Sequence, residues 1–282
     1  MKGKQVFLIA FSILLVCVIY FFGNFKGKKK QSTHQHNTDM SQVPQNPIES
    51  VEALDFRQFE KEKEDKLPEQ KKKTLQELKT KVIKKETAHE YKDVATFWEA
   101  EKELILAAFY YKKAAFLENT EKSITFAGNL YLALLQREAD PSKIKWLSLE
   151  AIPCFEKVIE LNPNNDEAKI ALATCYTEGM GEIMKGVTLL REITDKDSTN
   201  IPASLMLGRM SVESGQFDKA IKRLELVLLK DSENTEALYF LAEAYKGQGN
   251  KEKAITLFEK CKSIINNPEF SKEIDNYIKT FN

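Results

Sequence analysis

The chain has 282 residues, of which 42 are lysine or arginine and 42 are aspartate or glutamate, so its formal net charge is zero. This balance argues against a nucleic-acid-binding protein, which needs a dominant basic face. Glycine and proline are scarce, with 11 and 8 residues, which favours helices over a turn-rich sheet protein. The length allows one large domain or two small ones.

The N-terminal segment predicts a membrane anchor. Between Lys4 and Lys26 lie 21 residues without a charge, and a helix of that length spans roughly 31 Å, enough to cross the hydrocarbon core of a bilayer. The apolar run ends in large aromatic residues and not in the small residues of a signal-peptide cleavage site. We therefore expect an uncleaved transmembrane helix over residues 5–25, within an anchor segment 1–25.

The charges that flank this segment leave the membrane side of the body open. Four lysines follow the apolar run, namely Lys26, Lys28, Lys29 and Lys30. Under the positive-inside rule they favour a cytoplasmic body, although large domains are also translocated against a modest charge bias.

Two segments connect the anchor to the rest of the chain. Residues 26–49 predict a flexible linker, because apolar residues are too sparse there to offset the entropy of ordering. His34 and His36 lie in this linker without a nearby cysteine or carboxylate set, so a solvated linker is favoured over a metal site.

Residues 50–87 predict a charged helical stalk or a cap over the first repeat, with Pro68 in the first turn of its second helix. A coiled-coil dimerisation segment is the alternative. The apolar residues at helical spacing in that second helix are Leu75, Leu78, Val82 and Ile83.

The four cysteines do not form a recognisable framework. They are Cys17, Cys154, Cys175 and Cys261, and no two of them stand in a CxxC pair. The pattern favours small buried apolar residues over a disulfide or metal framework. We predict no metal and no cofactor.

The C-terminal half contains two consecutive copies of one sequence repeat. Ala220 and Ala254 are 34 residues apart, and the strings GQFDKAI (215–221) and GNKEKAI (249–255) begin the second half of each copy. A fixed period of this length is typical of helical-hairpin arrays and not of an enzyme domain grown around one core. The other pairs at this spacing are Leu207 and Leu241, Leu224 and Phe258, and Val227 and Cys261.

This pattern resembles the tetratricopeptide repeat (TPR) family. In that family, small residues at two positions let the two helices of a hairpin approach closely, and large residues fill the space to the next hairpin. In the last unit the matching residues are Leu238, Leu241, Ala242, Tyr245, Ala254, Phe258 and Cys261, with Pro268 two residues late. In the unit before it they are Ser204, Leu207, Gly208, Ser211, Ala220, Leu224 and Val227.

Three earlier units keep this register more loosely. In one, an extra residue lies in the turn around Gly179 and Gly181. In another, 11 extra residues predict a second helix that is extended from Pro141 and contains Pro153, which should kink it. The matching residues of the three units are Val94, Ala95, Trp98, Ala107, Tyr111 and Ala114; Ala127, Gly128, Tyr131, Ala151, Phe155, Val158 and Pro163; and Leu172, Ala173, Tyr176, Gly186, Leu190 and Ile193.

The resemblance implies an all-α fold, a TPR-type helical-hairpin solenoid with a right-handed superhelix, preceded here by one transmembrane helix. Asn267 and Pro268 begin a helix that should close the end of the array. The expected units are 88–119, 120–165, 166–200, 201–234 and 235–268, with a capping helix over 268–282.

The family also implies a concave face, lined by the first helix of each hairpin, that receives a peptide or a partner's helix. Arg209 and Tyr239 are the candidate anchors on a mixed surface. Some members clamp a terminal carboxylate with Lys and Asn from successive repeats, but Thr96 replaces the Asn that should accompany Lys92. The predicted protein-binding residues are Thr125, Asn129, Ile170, Thr174, Thr177, Leu205, Arg209, Tyr239 and Glu243.

The sequence therefore predicts a binding protein and not an enzyme, because no nucleophile with a base, no carboxylate pair and no metal-ligand set emerges. The chain resembles bacterial single-pass, membrane-anchored TPR proteins, which implies the bacterial inner (plasma) membrane. We expect it to hold other proteins or peptides near the bilayer. A structural, self-associating envelope protein without a dedicated peptide groove is the alternative.

Overall fold

The structure is a computed structural model that describes residues 51–281. The predicted anchor (1–25) and linker (26–49) lie outside these residues, and so do Cys17, His34 and His36. Residues 51–281 form thirteen α-helices, one π-helical turn and no strand, so the predicted all-helical fold is confirmed for this part of the chain. None of these helices combines the length and the apolar character that crossing a bilayer requires.

The helices follow one another with short connections. They are α1 (Phe56–Asp65), α2 (Glu69–Lys85), α3 (Ala88–Ala100), α4 (Leu104–Glu118), α5 (Glu121–Leu135), α6 (Pro141–Leu161), α7 (Asp166–Thr174), α8 (Ile183–Lys196), α9 (Ile201–Glu213), α10 (Phe217–Lys230), α11 (Thr235–Gly247), α12 (Lys251–Ile265) and α13 (Pro268–Lys279). The described residues fall into two compact units, an N-terminal unit (51–203) and a C-terminal unit (204–281).

The N-terminal unit is built from helical hairpins. Helix α3 packs against α4, α5 against α6 and α7 against α8, and α4 and α6 each also contact the first helix of the next hairpin. Large side chains fill the space between them, and Trp98, Tyr131 and Phe155 are almost fully buried. Gly128 allows α5 and α6 to come close, since a Cβ atom there would lie 2.9 Å from the Phe155 ring. The small-and-large pattern therefore produces the close packing that it predicts.

The second helix of the middle hairpin has the predicted extension. Helix α6 begins at Pro141, directly after an Asp140 side chain that accepts a hydrogen bond from the Ser142 N–H at 2.9 Å. It continues through Pro153 to Leu161. The added turns bury Trp146 as part of the core.

The extra residue of the third hairpin is accommodated differently from the predicted loose turn. Helix α7 passes into a π-helical turn over Cys175–Gly179, in which the Met180 N–H donates to the Cys175 carbonyl at 3.1 Å. Gly181 follows with a φ of 73°, a conformation that glycine adopts at little cost. A π turn takes up one additional residue without ending the helix.

Helices α1 and α2 cover the first hairpin. Helix α2 packs against α3, and Leu75 is buried in the same cluster as Val94 and Trp98. Ile83, which shares the apolar spacing of this helix, is 83% exposed. Val82, one residue earlier in the same turn, packs against this cluster, and Ile83 lies about 100° further around the helix, away from the packing side.

The C-terminal unit ends in the predicted capping helix. Asn267 accepts hydrogen bonds from the N–H groups of Glu269 and Phe270, and Pro268 is the first residue of α13. Helix α13 packs against α12. Its buried side chains, together with Phe281, join the cluster around Phe258.

Candidate partner-binding face

Eight of the nine predicted binding residues lie on the first helices α5, α7, α9 and α11. In the N-terminal unit this face belongs to α3, α5 and α7, and α5 and α7 contact each other directly. On α5, Thr125 is half-buried and Asn129 is exposed. On α7, Ile170 and Thr174 are half-buried, and the Thr174 hydroxyl donates to the Ile170 carbonyl at 3.1 Å. Four of the predicted residues are thus accessible on two adjacent helices.

The face also carries an aromatic residue that the family spacing does not mark. Phe126 is 51% exposed, although it is one of the large apolar residues of α5. Its ring meets the edge of Tyr111 from α4 at a centroid distance of 5.5 Å. The available signal was its position three residues before Asn129, which places both on one side of the helix. Phe126 offers an aromatic contact, which the predicted residues of the N-terminal unit lacked.

Polar groups surround this aromatic pair. The Tyr111 hydroxyl donates to Glu99 at 2.7 Å and lies 3.5 Å from the Thr96 hydroxyl. Partial burial, before any other influence, raises the pKa of Tyr111 above its ordinary value, so the hydroxyl remains a donor at neutral pH. Lys92, the residue considered for a carboxylate clamp, forms an ion pair with Glu118. Its charge is already compensated, which further weakens the clamp interpretation.

Thr177 does not belong to an accessible groove. It lies in the π turn, is buried, and donates its hydroxyl to the Ala173 carbonyl at 3.0 Å. Its methyl group packs where Gly186 of α8 leaves room, since a Cβ atom on that glycine would lie 2.3 Å away. The π turn changes the register by one residue, so the family spacing no longer predicts which side chains face outward.

In the C-terminal unit the predicted residues are more enclosed. Leu205 is half-buried, and Arg209 places its Nε 3.9 Å from Glu213. The Tyr239 ring lies 5.4 Å from that of Phe258, a core residue, so Tyr239 contributes to the core as well as to the surface.

Glu243 is covered by the capping helix. Its carboxylate lies 3.8 Å from Lys246 and beside the Tyr277 hydroxyl of α13, and its Oε1 atom is buried without a hydrogen-bond partner. Burial raises the pKa of Glu243, while Lys246 and Tyr277 act in the opposite direction. Because α13 occupies the space over this residue, Glu243 is not an open groove position.

The chain before α1 runs over the opposite helices of the N-terminal unit. The Leu54 N–H donates to the Ser142 carbonyl at 3.2 Å, and Lys145 donates to the Val51 carbonyl at 2.7 Å. The Phe56 ring stacks on Phe109 of α4 at 4.1 Å and on Trp146 of α6 at 5.0 Å. Phe109 lies on α4, and the other three partners lie near the start of α6. Both helices are the second helices of their hairpins.

Comparison with known proteins identifies the repeats. Residues 211–270 match a family model described as tetratricopeptide repeat, and residues 148–165 match another of the same description. These two segments are tetratricopeptide repeats. No functionally curated protein matches it significantly in sequence.

Several solved TPR structures align with this chain. A crystal structure of MamA aligns with a TM-score of 0.50 at 21% identity, over 64% of this chain and 92% of that one. YrrB, described as a TPR protein with an unusual peptide-binding site, gives 0.48 at 20% identity over 71% and 97%. A thermophilic TPR protein from Thermus thermophilus gives 0.47 at 14% identity over 69% and 98%. At these identities the likeness to MamA supports the fold alone.

The three cysteines within residues 51–281 are part of the packed interior. Cys154, Cys175 and Cys261 are buried, as predicted. Burial raises the pKa of Cys154 and of Cys175 to about 12, so both thiols are protonated at neutral pH and are poor nucleophiles. Within residues 51–281, no group of three or more metal-ligating side chains comes together.

Proposed function

We propose that the protein is a membrane-anchored scaffold that binds segments of partner proteins on the first-helix face of its TPR hairpins. In this proposal the five hairpins form one right-handed superhelix, and residues 5–25 hold it at a bacterial inner membrane. Anchoring raises the local concentration of a bound partner at the bilayer without requiring a new contact. The lysines that follow residue 25 favour a cytoplasmic body.

The separation of the two sides of the N-terminal unit carries this proposal. The segment that leads toward the anchor is fastened to α4 and α6 through Val51, Leu54 and Phe56. Phe126 and Asn129 stay accessible on the first helix α5. The attachment of residues 51–56 to second helices is compatible with partner binding at Phe126 and Asn129.

The composition of the face favours a partner segment with an apolar side chain and free peptide groups. Phe126 offers half of its surface for an apolar contact, and aromatic residues are enriched among the side chains that dominate binding energy. Asn129, exposed beside it, supplies both a donor and an acceptor for a partner's backbone. Ile170 extends the apolar contact onto α7.

Co-purification from detergent-solubilised membranes tests this function. We expect Phe126→Ala combined with Asn129→Ala to reduce the recovered partner about tenfold or more, as the loss of an anchor contact of ~1.4 kcal/mol would do. The matched control is Leu117→Ala combined with Lys113→Ala on the second helix α4, where Leu117 is 50% exposed. Equal losses in both variants, with unchanged helical content, would contradict the assignment of the face.

A further inference from the structure

Helix α10 carries an exposed pair of leucines that the TPR fold does not explain. Leu226 is 49% exposed and Leu229 is 79% exposed. Being three residues apart, they share one side of the helix. The opposite side of α10 buries Ala220, Leu224 and Val227 in the C-terminal unit. The two leucines are therefore surplus to the apolar stripe that the hairpin needs.

The repeats supply an internal control for these two positions. When the other hairpins are aligned on the same small and large residues, polar side chains occupy both positions in α6, α8 and α12. These pairs are Lys157 and Glu160, Glu192 and Asp195, and Lys260 and Ser263. In α4 the pair is Lys113 and Phe116, and Phe116 lies beneath the Lys112 ammonium at 5.7 Å. Among the five second helices compared, α10 is the one in which both positions hold an aliphatic residue.

The charges along this side of α10 are arranged as a self-complementary set. Lys222 precedes the leucines by one helical turn, and Glu233 follows them in the turn after the helix. Glu225 and Lys230 lie closer in, one on either side of the pair. All four are exposed, and Glu225 also accepts a hydrogen bond from Tyr245 at 2.8 Å. Along the helix, this stripe therefore runs from a basic residue, Lys222, through the two leucines to an acidic residue, Glu233.

We infer that this stripe of α10 is the interface for a second copy of the same chain, packed antiparallel about a two-fold axis between residues 226 and 229. The axis sets Leu226 against the partner copy's equivalent of Leu229. The same operation sets Lys222 opposite Glu233, and Glu225 opposite Lys230. A two-fold interface must be complementary to itself, and this sequence of charges meets that condition.

The competing arrangement is disfavoured by the same charges. In a parallel pairing of the two helices, each lysine would face its own equivalent and each glutamate likewise, which costs free energy instead of gaining it. The contact is small, so we expect a weak dimer that depends on protein concentration. This inference does not rest on the proposed binding face, because α10 is a second helix of its hairpin.

Sedimentation equilibrium of the full chain in density-matched detergent tests the interface. We expect a concentration-dependent dimer for the native chain, and Leu226→Glu combined with Leu229→Glu to weaken dimerisation about tenfold or more by removing apolar burial and adding repulsion. The matched control is Lys260→Glu combined with Ser263→Glu on α12, which should leave the dimer unchanged. A monomeric native chain, or a dimer that survives the α10 variant, would overturn the inference.

A charge exchange then distinguishes the antiparallel pairing from other apolar contacts. Lys222→Glu alone and Glu233→Lys alone should each weaken the dimer, because each sets like charges opposite one another twice. The variant with both substitutions should recover the native dimerisation constant. Failure of the double variant to recover, when both single variants are weakened, would rule out the antiparallel arrangement.

Discussion

Single residues decide how closely two helices of a hairpin approach. At Gly208 of α9, a Cβ atom would lie 2.7 Å from the Leu224 side chain of α10, and at Gly128 the neighbour is the Phe155 ring. Both glycines stand at the small position of the repeat, so the sequence predicted their role from the pattern alone. The regular spacing of a small residue and a large one is a local signal in the sequence. The close approach of the two helices of a hairpin could therefore be predicted from the sequence.

Glu243 shows where such local signals end. The family spacing placed it in the groove, but α13 covers it through Tyr277, a residue 34 positions later in the chain. Its raised pKa means that the folded state holds a proton more tightly than the unfolded chain does. Ionisation of Glu243 therefore lowers stability as the pH rises above the unfolded value near 4.5.

We expect Glu243→Gln to stabilise the protein by about 1 kcal/mol at pH 7, because the buried carboxylate no longer has to be ionised without a partner at Oε1. Below the unfolded pKa the carboxylate is protonated in both states, so the gain should vanish there. Thermal unfolding at pH 7 and at pH 4 measures the difference. Glu252→Gln on the exposed side of α12 is the control. A variant less stable than the native chain at pH 7 would show that the ion pair with Lys246 dominates.

At the scale of an element, α6 illustrates how an irregular helix is supported. Pro153 cannot donate a hydrogen bond to the carbonyl of Leu149, so the ladder is interrupted at that turn. Lys112 of α4 donates to the neighbouring Glu150 carbonyl and to the Glu150 carboxylate, both at 2.9 Å. Since the Lys112 side chain is only 16% exposed, this contact is more than a surface ion pair.

Lys112→Met should therefore destabilise the protein by about 1–3 kcal/mol, because the Glu150 groups lose their buried donor while the aliphatic stem is kept. The adjacent Lys113 is exposed, and Lys113→Met should change stability by no more than ~0.5 kcal/mol. Denaturant unfolding of both variants gives the comparison. Similar midpoints for the two would argue that α6 does not depend on α4 for this support.

The start of α6 could be predicted from the sequence, but the segment that binds to it, around Val51, could not. Asp140 and Pro141 are a helix-start signal that is visible in the sequence. The attachment of Val51 to Lys145 joins residues 94 positions apart, and no periodicity reports such a contact. The π turn at Cys175–Gly179 was hidden for a related reason. A spacing argument detects the extra residue but does not say whether the loop or the helix takes it up, since tertiary packing around Gly186 decides that.

At the scale of the whole molecule, the TPR pattern fixed the kind of protein more firmly than the position of its site. Of the nine predicted residues, Thr125, Asn129, Ile170 and Thr174 lie together on α5 and α7, whereas Thr177 is buried and Glu243 is covered. Phe126 was absent from the prediction because the family spacing does not mark its position. The two leucines of α10 stand out only when their exposure is combined with the residue types at the same positions of the other hairpins.

The most direct test of the binding face is photo-crosslinking in intact cells. A photoreactive phenylalanine at position 129, on the open face of α5, should form adducts with partner proteins that are absent when the same group replaces Lys113 on α4. Both positions are exposed, so accessibility is matched. Adducts that depend on position 129 and disappear with Phe126→Ala would support partner binding on the first-helix face. Adducts from position 113 alone, or the same adducts from both positions, would contradict it.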